Sequence, residues 1–218
     1  MFVAADPRPS VVHSPVLSVC CWKHNLKTPL PIRKPAAHSA EIAVLAGGAS
    51  SRMGRNKATL RLGRRTLLGH ARASARESGW PHRVIRRDLV PRRGPLGGVH
   101  TALSTTNADV VLFLSCDMPF VSAALIRTLL RRWDGRHPGL FVRAGGRTGF
   151  PFLLRQDTLP VVERLLADGP WSLHCLAQKL PARLLRLPAR WTSQLFNINT
   201  PQDWEVARAR WKSRERRR

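Results

Sequence analysis

Residues 109–115, Asp-Val-Val-Leu-Phe-Leu-Ser, carry five consecutive apolar side chains between polar ends. Neighbouring residues of a strand face opposite ways, so a strand that is apolar throughout must be covered on both faces. That requires a parallel sheet with helices on each side. The rest of the chain agrees. Ile42–Leu45, Arg83–Arg86, Leu140–Arg143, Phe150–Leu154, Leu184–Leu187 and Leu195–Phe196 read as further strands, with Gly145-Gly146 as a turn. Helices are expected over Thr66–Ser78, Pro95–Ser104, Ser122–Trp133, Thr158–Leu166 and Ser172–Leu180, and a last one opens at Thr200-Pro201. Ser122 and Thr200 are N-cap types, and Pro95 and Pro201 suit a first helical turn. The alternation predicts an α/β fold: a three-layer α/β/α, Rossmann-like domain with a mainly parallel sheet. Ligands of such sheets bind beyond the carboxyl ends of the strands.

At that end of the first strand lies Leu45-Ala46-Gly47-Gly48-Ala49-Ser50-Ser51-Arg52-Met53-Gly54-Arg55-Asn56-Lys57. Glycines let backbone N–H groups turn tightly against an anion, and Arg52 and Lys57 add positive charge. Lys57 is the sole lysine between Lys34 and Lys179 in a chain far richer in arginine. A compact ammonium at this place points to a specific phosphate contact rather than generic surface charge. The run fits neither the Walker A pattern nor the G-x-G-x-x-G dinucleotide fingerprint.

Acidic residues are scarce, 13 against 37 Lys and Arg. Asp117 follows the strongest strand directly, where a carboxylate either holds Mg²⁺ against phosphate oxygens or caps the turn. Asp88, flanked by Arg86 and Arg87, reads on its own as an ion-paired surface group. Asp109 precedes its strand and falls at the opposite end. Gly94-Pro95-Leu96-Gly97-Gly98 offers a tight turn and a helix start, with free N–H groups for an anion or leaving pyrophosphate. Asn197 and Asn199 would share one strand face, either reaching a cleft or capping a turn. His70, His100 and His174 are expected to be ordinary helix residues without paired partners. Trp133, Trp171, Trp191, Trp204 and Trp211 show no repeat and read as packing residues.

The glycine loop resembles the signature of the molybdenum cofactor guanylyltransferases, the MobA-like branch of the nucleotidyltransferases. Gly94–Gly98, Cys116-Asp117-Met118-Pro119-Phe120 and Asn197-Ile198-Asn199-Thr200-Pro201-Gln202-Asp203 match in the same order. The resemblance spans residues 41–211. It implies transfer of GMP from GTP to molybdopterin with release of pyrophosphate. Leu45, Ala46, Gly47, Gly48, Lys57, Asp88 and Asp117 would then serve GTP, and Asp117 would hold Mg²⁺. Lys57 and Arg52 would offset phosphate charge. Gly94, Pro95, Leu96, Gly97, Asn197 and Asn199 would line the substrate cleft, with the asparagines near the pterin. The incoming phosphate is already an anion, so no strong general base is required. Molybdoenzymes or their chaperones would receive the product. The Leu45-Ala46-Gly47-Gly48 form resembles the guanine-using branch, whereas related cytidylyltransferases carry L-A-A-G. One departure stands out: between Lys57 and Gly94 the chain is shorter than the family pattern by about a strand and its loop. No asparagine lies between Asn56 and Asn107. Losing that strand would remove a nucleotide ligand and leave a gap or a new edge in the sheet. The alternatives are a cytidylyltransferase for the same pterin, or a non-catalytic relative serving as an Arg-rich module for nucleic acid or a protein partner.

The net charge of +24 is spread along the chain as arginine and concentrated in 207–218, with seven basic residues and one acidic. Spread charge favours anionic substrates and nonspecific polyanion binding; a dedicated nucleic-acid function is not expected from it. Residues 1–40 contain six prolines and are expected to be a disordered extension or upstream read-through, followed by the domain over 41–211 and a basic tail, 212–218. Four cysteines with no paired C-x-x-C spacing indicate neither a zinc site nor a disulfide framework, so the cytoplasm is the default location. No apolar stretch approaches membrane-spanning length.

Overall fold

The computed structural model describes residues 39–47, 57–144 and 147–216. These lie within the unit Arg33–Arg218. Six strands form the main sheet: β1 (Ala40–Leu45), β4 (His82–Ile85), β5 (Val110–Ser115), β6 (Gly139–Ala144), β7 (Arg147–Arg155) and β8 (Arg183–Arg186). Their order is β4-β1-β5-β7-β6-β8. β1 is parallel to both β4 and β5, and β6 is parallel to β8. β7 is antiparallel to both its neighbours. Five strands therefore share one direction, as expected, and β7 opposes them. The remaining two strands, β2 (Arg61–Leu62) and β3 (Arg65–Thr66), make a separate small hairpin.

Alternation along the central strands divides the core into two layers. Ile42, Val44, Leu112 and Leu114 pack beneath α1 (Leu67–Glu77) and α3 (Ala123–Arg132). Ala43, Val111 and Phe113 face α2 (Pro95–Ser104), α4 (Leu159–Asp168) and α5 (Leu173–Lys179). On this second face Phe152 is stacked between Phe113 at 4.8 Å and Phe141 at 5.0 Å, tying β5, β7 and β6 together. Helix starts follow from local chemistry: the hydroxyls of Thr66, Ser122 and Ser172 each accept from an N–H in the first turn that follows. α7 (Pro201–Glu215) opens with a capping box between Thr200 and Asp203. It covers a third cluster of Leu62, Leu67, Phe120, Ile198 and Ala207.

Two local elements differ from expectation, the hairpin after Leu60 and the segment after Thr192. The β2–β3 hairpin was not foreseen. Gly63 turns it at φ +61°, where a side chain would run into the Trp211 indole. Leu195–Phe196 is not a strand: Ser193–Leu195 is a 3-10 turn after α6 (Ala189–Thr192), and Phe196 leaves it extended. α7 continues through Trp211 as far as Glu215, because Trp211 packs edge-on against His70 at 4.5 Å. The short segment before Gly94 leaves β4 as an edge strand beside β1. No helix among the described residues is long and apolar enough to cross a membrane.

Phe152→Ala should destabilise the protein by about 3–5 kcal/mol, the usual cost of deleting a fully buried aromatic. Urea denaturation should show the lower midpoint, and a change below 1 kcal/mol would contradict the stacked core.

Candidate active site

In an open α/β sheet the ligand crevice forms where successive connections leave in opposite directions. Here that point lies between β1 and β5, since β4 flanks β1 on the other side. Leu45 and Ser115 are register partners, and Cys116 N–H donates to the Leu45 carbonyl at 3.1 Å. The two chains therefore leave the sheet side by side. A cavity of about 410 Å³ opens there, lined by Leu45, Ala46, Gly47, Lys57, Ala58, Asp88, Gly94, Pro95, Gly98, Ser115, Cys116, Asp117, Phe150, Asn197 and Asn199.

Lys57 and Asp117 face one another across it, with Nζ 4.0 Å from Oδ2. Lys57 also donates to Asn199 Oδ1 at 3.1 Å. Asp117 accepts from the Ser115 hydroxyl. Its carbonyl accepts from Ile198 N–H at 3.0 Å, which ties the asparagine segment to the end of β5. Burial pushes the Asp117 carboxyl above its ordinary range, and the Ser115 hydroxyl and Lys57 ammonium oppose that. Burial, then the Asp117 charge, pushes the Cys116 thiol up to about 12. Cys116 is a packing residue at neutral pH and not a nucleophile.

Asp88 has no ion pair among the described residues, contrary to the reading of it as a surface partner of its flanking arginines. Its carboxyl lies against α2, and burial raises it. A Cβ at Gly97 would come within 2.8 Å of Asp88 Oδ2 and 2.7 Å of the Val90 carbonyl. A Cβ at Gly47 would meet the Arg86 carbonyl at 3.1 Å. The glycines here bring β1 and α2 close around Asp88.

Several expected positions shift. Leu96 is fully buried in the core and does not line the cavity, and Gly97 is backbone packing; Gly94, Pro95 and Gly98 supply that wall. Ala46 N–H donates to the Ile85 carbonyl at 2.8 Å, so it is committed to the sheet. Gly48 and Arg52 lie outside the described residues. Asn197 and Asn199 reach the cavity from an irregular segment, with no strand there to align them. Asn197 Oδ1 is buried without a hydrogen-bond partner among the described residues, as an acceptor waiting for a ligand would be. Asp109 accepts from Ser39 at the far end of β5, as its position predicts.

A second cavity of about 650 Å³ adjoins the first and shares Pro95, Phe150, Asn197 and Asn199 with it. Its other walls include Thr148, Trp171, Ser172 and His174. Trp171 is 41% exposed and carries the Arg93 guanidinium 4.0 Å above its ring, so it is more than a packing residue. His174 lines this cavity. His100 pairs with Glu163 at 3.7 Å, and His70 binds the Leu62 carbonyl at 2.8 Å, so both have partners. Ser115, Phe150 and Trp171 carried no motif that would have singled them out. Only the fold brings them to the site.

Fold and site together are those of an α/β protein whose ligand crevice lies beyond the carboxyl ends of the strands. The family model described as "MobA-like NTP transferase domain" matches residues 42–183, and the chain belongs to that family. It is 32% identical over 176 residues to the molybdenum cofactor guanylyltransferase of Xanthomonas euvesicatoria, covering 74% of this chain and 90% of the relative. It is 29% identical over 182 residues to a probable molybdenum cofactor guanylyltransferase of Carboxydothermus hydrogenoformans, covering 75% and 92%. The fold matches molybdopterin-guanine dinucleotide biosynthesis protein A from Archaeoglobus fulgidus with a TM-score of 0.64 at 19% identity, covering 79% of this chain and 99% of that one.

Asp203 couples this site to α7. Its carboxylate accepts from Asn199 N–H and Thr200 N–H, both at 2.9 Å. The Asn199 bond leads in holding it below the ordinary carboxylate range. Asp203→Ala should cost about 1 kcal/mol as a lost cap. A depressed folded value means the stabilisation is present above the unfolded value and lost as pH falls through the lower, folded one. The melting-temperature gap between wild type and variant should thus be full at pH 7 and close in strong acid. A constant gap would mean the carboxylate charge is irrelevant.

Proposed function

We propose that the chain transfers GMP from GTP to the phosphate of molybdopterin, in a Mg²⁺-dependent reaction that forms the guanine dinucleotide cofactor and releases pyrophosphate. The observation that carries this reading is the pair of adjoining cavities sharing one wall, with Lys57 and Asp117 facing one another in the first. Two substrates held in them would meet beside those two side chains. GTP takes the first cavity, with its phosphates toward Lys57. The pterin takes the second, where Trp171 offers a flat apolar face and Thr148, Ser172, His174 and Asn197 offer polar groups.

An oxygen of the acceptor phosphate attacks the α-phosphorus of GTP. The bond from that phosphorus to the bridging oxygen breaks, and pyrophosphate leaves with the electron pair. The attacking group is already anionic, so the protein's task is alignment and charge neutralisation. Lys57 offsets charge on the phosphates while Asn199 fixes its ammonium. Among the described residues no three His, Cys, Asp or Glu side chains cluster as a cation cage. That suits Mg²⁺, which is held by one or two carboxylates and completes its shell with phosphate oxygens and water. Asp117 would hold it, and Asp88 is the nearby second carboxylate of the cavity. When bound, Mg²⁺ supplies neutralisation of phosphate charge and a more electrophilic phosphorus.

Preference for guanine is tested by calorimetry of GTP, CTP and ATP with Mg²⁺ at moderate salt. GTP should bind selectively, with binding lost in Asp117→Ala. Turnover should drop about 10²-fold or more in Lys57→Ala, as for loss of a preorganised charge contact. Equal, salt-sensitive binding of all three nucleotides would leave only charge attraction and overturn the reading. Trp171→Ala should raise the acceptor KM about tenfold, roughly 1.4 kcal/mol, with GTP affinity unchanged. A matching loss of GTP affinity would show that the second cavity is not a separate acceptor site.

A further inference from the structure

Away from both cavities, a groove of about 760 Å³ runs between α6 and the C-terminal half of α7. Arg190, Arg210 and Arg214 line it with the hydroxyls of Ser193 and Ser213 and the amide of Gln194. Among the described residues none of its lining is acidic. None of the three arginines has a carboxylate within ion-pair distance among the described residues. Each instead lies over an aromatic ring: Arg190 over Trp191 at 5.7 Å, Arg210 over Phe196 at 4.2 Å, Arg214 over Phe120 at 5.6 Å. A guanidinium held this way keeps its charge and its in-plane N–H donors, and gives up little further side-chain freedom on meeting a planar oxyanion. α7's own acids are committed elsewhere, Glu205 to Arg208 at 3.3 Å and Glu215 to the Trp211 N–H at 2.8 Å.

We propose that this groove is a docking site for an acidic segment of a partner polypeptide, whose carboxylates take paired hydrogen bonds from the three arginines. Charge complementarity argues for it. A second copy of a chain with net charge +24 would be repelled. Nucleic acid is disfavoured because the one aromatic among the described lining residues, Phe120, is buried and offers bases no open face to stack on. The site is independent of the transferase reading and shares no residue with the nucleotide cavity.

The test uses the full chain and two fluorescent probes, an octaglutamate peptide and a 15-nucleotide single-stranded DNA, read by anisotropy at physiological salt. The triple variant Arg190→Gln, Arg210→Gln, Arg214→Gln is compared with a charge-matched control at exposed positions, Arg72→Gln, Arg132→Gln, Arg164→Gln. The groove variant should weaken peptide binding at least tenfold and the control less than twofold, while both weaken DNA binding equally. A second triple, each groove arginine to Lys, preserves charge and guards against misfolding. It should still weaken the peptide at least threefold, because it removes the two-donor fork. Equal effects of groove and control variants on the peptide, or wild-type affinity in the Lys triple, would reduce the site to net charge. Loss of DNA binding confined to the groove variant would make it a nucleic-acid site. Any of these three results overturns the proposal.

Discussion

The parallel pairing of β1 with β5 is the contact on which the site depends. Leu45 and Ser115 are register partners at the ends of these strands, and the cavity holding Lys57 and Asp117 opens beside them. A slip of one residue would turn the Ile42/Val44 set and the Ala43/Leu45 set to the wrong helical layers. The same slip would part Leu45 from Ser115, both of which line the cavity, so core packing and site geometry share one constraint. The Cys116 N–H bond to Leu45 and the Ile198 N–H bond to Asp117 extend that register beyond the sheet. Through them the asparagine segment and the capped start of α7 join the wall of the cavity.

What could be read from the residues was mostly what local chemistry determines. The five-residue apolar run gave β5, and the caps Ser122 and Thr200 marked helix starts because one hydroxyl satisfies a first-turn N–H within three residues. The glycine-rich loop and Asp117 pointed to the right end of the sheet. Two-residue strands such as β2 and β3 have no periodicity to detect, so their hairpin was invisible. Asn197 and Asn199 do face the cavity, but the reason assumed for it, a shared strand face, was wrong; a bond from Ile198 to Asp117 holds them. Leu96 sat inside a motif and was read as a cleft residue, although only its glycine and proline neighbours face outward. Trp171 and the three groove arginines gain meaning only from neighbours distant in sequence.

Carboxylates in this chain are outnumbered, and the structure shows how they are spent. Glu41 pairs with Arg83, Glu77 with Arg65, Asp157 with Arg155, and Glu205 with Arg208. Asp109 and Asp203 bind backbone N–H groups at Ser39 and at Asn199 and Thr200. Several acidic side chains have no arginine at ion-pair distance among the described residues, and two of these line the cavity. Asp88 has no ion pair among the described residues, and Asp117 meets a lysine at 4.0 Å. These two line the same cavity, and burial raises both above the ordinary range.

A guanidinium at either position would stabilise the carboxylate through a bidentate pair and leave its oxygens occupied. Lysine, as a compact point charge at longer range, leaves lone pairs on Asp117 for another cation and remains able to turn toward a phosphate. The same logic governs the groove on α7, with the signs reversed. There the unpaired groups are arginines, and aromatic rings hold them where carboxylates would have neutralised them. In both places the fold withholds the commonest partner from a charged side chain. Withholding it preserves the binding capacity that an internal ion pair would have consumed.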